Sequence, residues 1–280
     1  MSTWEEERTI AVRGVTYRVC AAGQGSPLFL LHGFAGSSAH WAPLVPELVA
    51  RGWRVIAPDL LGHGRTDAPI APARYAAAEQ VADLASLLGE LVSTPVRLLG
   101  YSMGGRLALH LALAHPERIA ALVLESASPG LDDPAERAAR QRADEELATA
   151  IEERGLDWFA DHWESLPLFA SRQRLSAERR AALRAEWLAQ RPHGLAASLR
   201  GFGTGSMPPL WDRLAELRSP VLVIAGALDT RYASLSQAIA ARIPGSQLVV
   251  VPEAGHTVHL EQPAAFLEAL ERFFRQLPDR

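Results

Sequence analysis

Six short apolar runs recur along the chain: Leu28 to Leu31, Arg54 to Ala57, Val96 to Leu99, Leu122 to Leu124, Val221 to Ala225 and Leu248 to Val251. Each reads as a strand buried on both faces, and most are separated by longer segments with helical spacing, so the pattern predicts a mostly parallel sheet with helices on both sides. Thr9 to Arg13 and Thr16 to Cys20 instead alternate apolar and polar residues around Gly14, which predicts an antiparallel hairpin and brings the sheet to eight strands. Helical spacing is found in Trp41 to Ala50, Tyr75 to Leu91, Met103 to His115, Leu235 to Ala241 and Pro263 to Gln276. Pro129 to Trp211 breaks the rhythm. It is rich in alanine, arginine and glutamate, holds Trp158, Trp163 and Trp187, and contains no convincing strand. Residues 129–211 are therefore expected to form a helical cap inserted into a core of residues 1–128 and 212–280.

The chain has 280 residues, a net charge of −4 and one cysteine, a composition that excludes disorder and a disulfide scaffold. Cys20 lies in an apolar strand-like stretch and reads as buried and inert. All 28 basic side chains are arginine, since the sequence has no lysine and also no asparagine. Schiff-base chemistry, pyridoxal phosphate attachment and the P-loop all need a lysine and are excluded. A GC-rich genome accounts for both missing residue types, because their codons are AT-rich. No basic block points to nucleic acid, and no run of apolar residues is long enough to span a bilayer. The acidic start, Met1 to Arg8, does not resemble a targeting segment, so a cytoplasmic protein is expected, as a monomer or small homo-oligomer.

Gly100-Tyr101-Ser102-Met103-Gly104 joins a predicted strand directly to a predicted helix. A turn that sharp strains the serine backbone, needs small neighbours, and displays the hydroxyl at the carboxyl edge of the sheet beside a helix N-terminus. Such a serine needs a base and an orienting acid. Asp229 and His256 each follow a strand and should reach the same edge. Glu125 is the rival acid and His259 the rival base; His110, His115, His162 and His193 lie within helices or the cap. The N–H groups of Met103 and Phe34 are the expected oxyanion donors. His32 reads as a brace for its loop, and His63, in the tight loop Asp59 to Asp67, as structural.

Through His32-Gly33, Gly62-His63-Gly64, the serine turn, Asp229 and Gly255-His256, the chain resembles the α/β-hydrolase superfamily along nearly its whole length. Within it the closest resemblance is to the 2-succinyl-6-hydroxy-2,4-cyclohexadiene-1-carboxylate synthase family, often called MenH. Four stretches carry this: Gly100 to Arg106, Glu125 to Leu131, Arg137 to Asp144 and Ser198 to Ser206. The resemblance implies an α/β-hydrolase fold and a cofactor-free, metal-free lyase of menaquinone biosynthesis. That family eliminates pyruvate from 2-succinyl-5-enolpyruvyl-6-hydroxy-3-cyclohexene-1-carboxylate. Ser102, activated by His256 and Asp229, would take a carbon-bound proton, and the Phe34 and Met103 amides would hold the enolate. Arg106, one helical turn after Ser102, Arg140, Tyr101, Trp163 and Arg231 would contact the small polycarboxylate substrate. Arg137 and Arg142 read instead as a solvated cap face.

The chain departs from that pattern at Arg231, where lysine is common, at Trp187, where a later cap arginine is expected, and at Met207, where glutamine is frequent. Arg184 or Arg191 could compensate for Trp187. Ser102, Asp229 and His256 would also serve a carboxylesterase or carbon–carbon bond hydrolase with a covalent serine. A ligand-binding relative with little turnover is a further alternative, against which an intact triad argues.

Overall fold

A computed structural model describes residues 3–277. The eight strands are β1 (Glu6–Val12), β2 (Val15–Ala22), β3 (Ser26–Leu31), β4 (Trp53–Pro58), β5 (Val96–Tyr101), β6 (Ile119–Glu125), β7 (Val221–Gly226) and β8 (Gln247–Val251). They form one sheet in the order β1-β2-β4-β3-β5-β6-β7-β8. β2 pairs antiparallel with β1 and β4, and every pairing from β4 to β8 is parallel. The hairpin turn is Arg13-Gly14, both at positive φ, so Arg13 belongs to the turn rather than to the first strand. This is the two-residue geometry that matches strand twist.

The helices are α1 (Val45–Ala50), α2 (Ala77–Leu91), α3 (Met103–Ala114), α4 (Pro134–Ser165), α5 (Ala177–Leu188), α6 (Pro192–Phe202), α7 (Thr230–Ala240), α8 (Val258–Glu261) and α9 (Pro263–Arg275). α2, α3 and α7 cover one face of the sheet, while α1 and α9 cover the other. In α9 the buried residues Phe266, Leu267, Leu270, Phe273 and Phe274 recur at helical spacing, each contributing about 1.5–3 kcal/mol of apolar burial. Three expected helices are corrected. The first is split into a 3-10 turn, Ser38–Trp41, and the short α1, because Pro43 and Pro46 interrupt the hydrogen-bond ladder. α2 begins after another 3-10 turn, Pro72–Tyr75. α7 begins at Thr230, where Asp229 accepts from the Tyr232 N–H as N-cap.

Between β6 and β7 the chain is entirely helical or looped. α4 is broken at Gly155, whose φ of 78° is open to glycine and uncommon for other residues. Ile151, Phe159, Leu183, Trp187, Leu195 and Leu199 form a separate apolar cluster that packs down on Ala35 and Leu260 of the core. The sheet order reverses at β3 and β5, whose carboxyl ends open a crevice under this cap. No helix among the described residues is long and apolar enough to cross a membrane.

Candidate active site

β5 delivers the chain to Ser102, which has φ 51° and ψ −110°, and α3 starts at the next residue. Glycine is required around it by close approach. A Cβ on Gly100 would lie 2.4 Å from the Gly104 carbonyl oxygen, and one on Gly104 would lie 2.2 Å from that of Leu31. The strained serine is thus held by backbone packed against backbone.

His256, in the loop after β8, lies with Nε2 3.0 Å from Ser102 Oγ and Nδ1 2.7 Å from Asp229 Oδ2. His256 is 1% exposed and Asp229 8%. The Glu261 carboxylate accepts from the N–H groups of Gly255 and Thr257 and so fixes the loop on both sides of His256. Tyr232 adds an edge contact to the imidazole, with ring centroids 4.5 Å apart. The amides of Phe34 and Met103 donate no hydrogen bond within the described protein, and Met103 opens α3, whose dipole favours negative charge at that point. His32 Nδ1 donates to the Gly33 carbonyl while Nε2 accepts from the Leu60 N–H, which ties the Phe34 loop to the loop after β4.

The rival pair lies apart. Glu125 accepts from both the backbone N–H and Nδ1 of His259, and both residues are fully buried. Burial pushes the Glu125 carboxyl up to about 8 and the His259 imidazole well down. His63 is likewise buried, pushed down to about 3 and bonded to Leu61 O.

The cavity over Ser102 is lined by Phe34, Tyr101, Met103, Arg106, Arg140, Trp163, Arg172, Trp187, Tyr232 and His256, among others. Three arginines face it, and no aspartate or glutamate among the described residues belongs to its wall. Arg106 Nη1 donates to Phe202 O at 2.8 Å and lies 3.6 Å from Met207 Sδ. No carboxylate among the described residues pairs with it, and burial pushes its guanidinium down to about 10. Arg140 pairs with Asp144 at 2.8 Å and borders both the cavity and an outer cleft. Arg231 is exposed and lines that outer cleft and a second one beside Asp229 and Gly255, and it is not part of the inner cavity's wall. Trp187 brings no charge, and neither proposed substitute replaces it. Arg184 pairs with Asp161 and Glu164, and Arg191 donates to the Thr66 carbonyl. Arg172, Phe169, Phe202 and Tyr232 reach the cavity without having been singled out in the sequence.

His110 on α3 packs edge-on against Phe202 and leaves Nε2 without a partner. Burial first, then the charge of Arg106, lowers it to about 4. Between the unfolded-chain value of about 6.5 and that value, only the unfolded chain takes the proton, so stability falls as pH falls. His110→Leu should flatten this acid loss by on the order of 2 kcal/mol. Urea unfolding at pH 7 and pH 4.5 reads the change; equal losses in both proteins would show that the ring carries no such penalty.

A serine at a strained strand-to-helix turn, an acid-oriented histidine and two free amides, all at the switch point of a mostly parallel sheet, define an α/β-hydrolase active site. The α/β hydrolase fold family matches residues 26–263, and the chain belongs to it. A Bacillus subtilis (strain 168) protein provisionally named a 2-succinyl-6-hydroxy-2,4-cyclohexadiene-1-carboxylate synthase is 43% identical over 94% of this chain and 96% of its own. The enzyme of that name from Pectobacterium atrosepticum is 33% identical over 88% of this chain and 92% of its own. The solved structure of MenH from S. aureus superposes with a TM-score of 0.89 at 31% identity, covering 93% of this chain and 99% of that one. Within the α/β hydrolases, the chain is an enzyme of this MenH type.

Proposed function

We propose that this enzyme eliminates pyruvate from 2-succinyl-5-enolpyruvyl-6-hydroxy-3-cyclohexene-1-carboxylate to give 2-succinyl-6-hydroxy-2,4-cyclohexadiene-1-carboxylate in menaquinone biosynthesis. The observation that carries this reading is a serine-containing cavity walled by Arg106, Arg140 and Arg172 with no acidic side chain among the described residues of its lining. A neutral ester gains little from a desolvated guanidinium, whereas a substrate with three carboxylates repays its burial.

In this mechanism His256 draws the hydroxyl proton of Ser102, and Ser102 Oγ takes the ring proton next to the succinyl ketone. Asp229 holds the imidazole and stabilises it as it becomes charged. The enolate oxygen is received by the Phe34 and Met103 N–H groups. Its electron pair moves through the ring alkene, a second ring double bond forms, and the carbon–oxygen bond to the enolpyruvyl group breaks. His256 returns its proton to the leaving oxygen, and enolpyruvate tautomerises to pyruvate. Protons balance, and Ser102 forms no bond to carbon. Such a polar substrate does not cross membranes unaided, which supports a cytoplasmic place for the enzyme.

The test compares pyruvate release from the cyclohexene substrate, generated in situ, with hydrolysis of a small activated ester by the same preparation. Fast release with feeble ester cleavage supports the lyase. Negligible release with vigorous cleavage would assign the same triad to a carboxylesterase or carbon–carbon bond hydrolase.

A further inference from the structure

Arg172 lies in the 3-10 segment Pro167–Arg174 of the cap and is 7% exposed, yet it lines the cavity. Its Nε donates to Thr257 Oγ1 at 3.0 Å; Nη2 donates to the same oxygen at 2.7 Å and to the Tyr101 hydroxyl at 3.1 Å. Nη1 has no partner. The guanidinium stacks over Phe169 at 3.8 Å, and Trp187 lies 6.0 Å away. Its partners are thus two neutral oxygens and aromatic faces, with no carboxylate in ion-pair reach among the described residues.

Neutral oxygens orient a guanidinium without neutralising it, and a buried charge left in that condition is costly. The two anchors make the orientation informative. Tyr101 precedes Ser102 and Thr257 follows His256, so the cation is fixed relative to both members of the pair that would move the proton. Arg106 is held differently, from α3 against Phe202 of α6. The cavity therefore contains two uncompensated cations tied to separate walls.

We propose that Arg172 binds one substrate carboxylate, a different one from that met by Arg106, and supplies specificity on the His256 side of the cavity. The proposal rests on reading the cavity as a polycarboxylate site. The carboxylate belongs to the departing pyruvate, to the succinyl arm or to the ring, and two simple acids separate the first two from each other and from the third.

Wild-type protein, Arg172→Met and Arg172→Lys would be assayed with the cyclohexene substrate, with pyruvate and succinate as competitors. Methionine keeps the apolar stem against Phe169 and removes the charge. We expect a rise in KM of about 30-fold, a smaller change in kcat, an undiminished thermal midpoint and partial rescue by lysine. Weakening of inhibition by one acid by about tenfold in Arg172→Met identifies the carboxylate held, and a raised KM with inhibition by both acids unchanged assigns Arg172 to the ring carboxylate. An unchanged KM together with unchanged inhibition overturns the proposal. So does a parallel fall in thermal midpoint, ester hydrolysis and lyase turnover, which marks a packing role. Should wild-type protein release no pyruvate, the lyase reading fails, and Arg172 is then judged from inhibition of Ser102-dependent hydrolysis of p-nitrophenyl acetate. Inhibition by succinate that weakens in Arg172→Met supports a carboxylate site; inhibition that is absent or unchanged rejects it.

Discussion

Ser102→Ala should lower kcat for pyruvate release by at least about 10⁴-fold, the scale on which a triad fails when one member is removed. KM should change little, because the arginines that meet the carboxylates remain in place. Alanine tolerates φ 51° no better than serine, so the thermal midpoint should stay where it is. Ser102→Gly should be equally inactive but more stable than Ser102→Ala by about 1 kcal/mol, since glycine relieves the strain of the turn. This pair separates chemistry from folding, because activity is lost twice while stability moves in one variant only. Retention of more than about a hundredth of wild-type turnover in both variants would remove Ser102 from the proton path and leave the oxyanion site and the arginines as the source of catalysis.

The parts of this site that were legible in the sequence are those set by local backbone. The serine turn is written in five consecutive residues, and the strand before it and helix after it have clear periodicities. Asp229 and His256 could be placed because each follows a buried strand, and parallel strands bring their carboxyl ends to one edge. Glu125 also stands at a strand end, but its carboxylate turns to His259, which packs against Tyr101, and strand position carries no information about that turn. Arg172 was illegible for a stronger reason. It lies in an irregular 3-10 segment and meets residues 71 and 85 positions away, so no periodicity marks it. Arg231 shows the converse, since its spacing from the acid does not fix which cleft its side chain lines, and it borders the outer clefts. The same distinction governs the fold. The sheet followed from apolar runs, whereas the split of the first helix depended on two prolines competing with an otherwise helical pattern.

Arg106→Met should reduce kcat/KM for the polycarboxylate by about 10²- to 10³-fold, which is what losing a desolvated, charge-assisted contact costs. The direction of the stability change makes this prediction demanding. Arg106 is half-buried, donates only to a carbonyl and lies beside a thioether, and burial has drawn its guanidinium down to about 10, so the empty protein carries a cation with no carboxylate paired to it among the described residues. Replacing such a charge with an apolar side chain of similar length is commonly neutral or stabilising. The variant should therefore unfold at the same temperature or higher while losing most of its turnover, and hydrolysis of a neutral ester should change by less than about threefold. Calorimetry and steady-state kinetics on the same preparation read all three quantities. A loss of stability with a proportional loss of both activities would make Arg106 a packing residue, and unchanged lyase kinetics would remove the electrostatic basis for assigning this cavity to a polyanion.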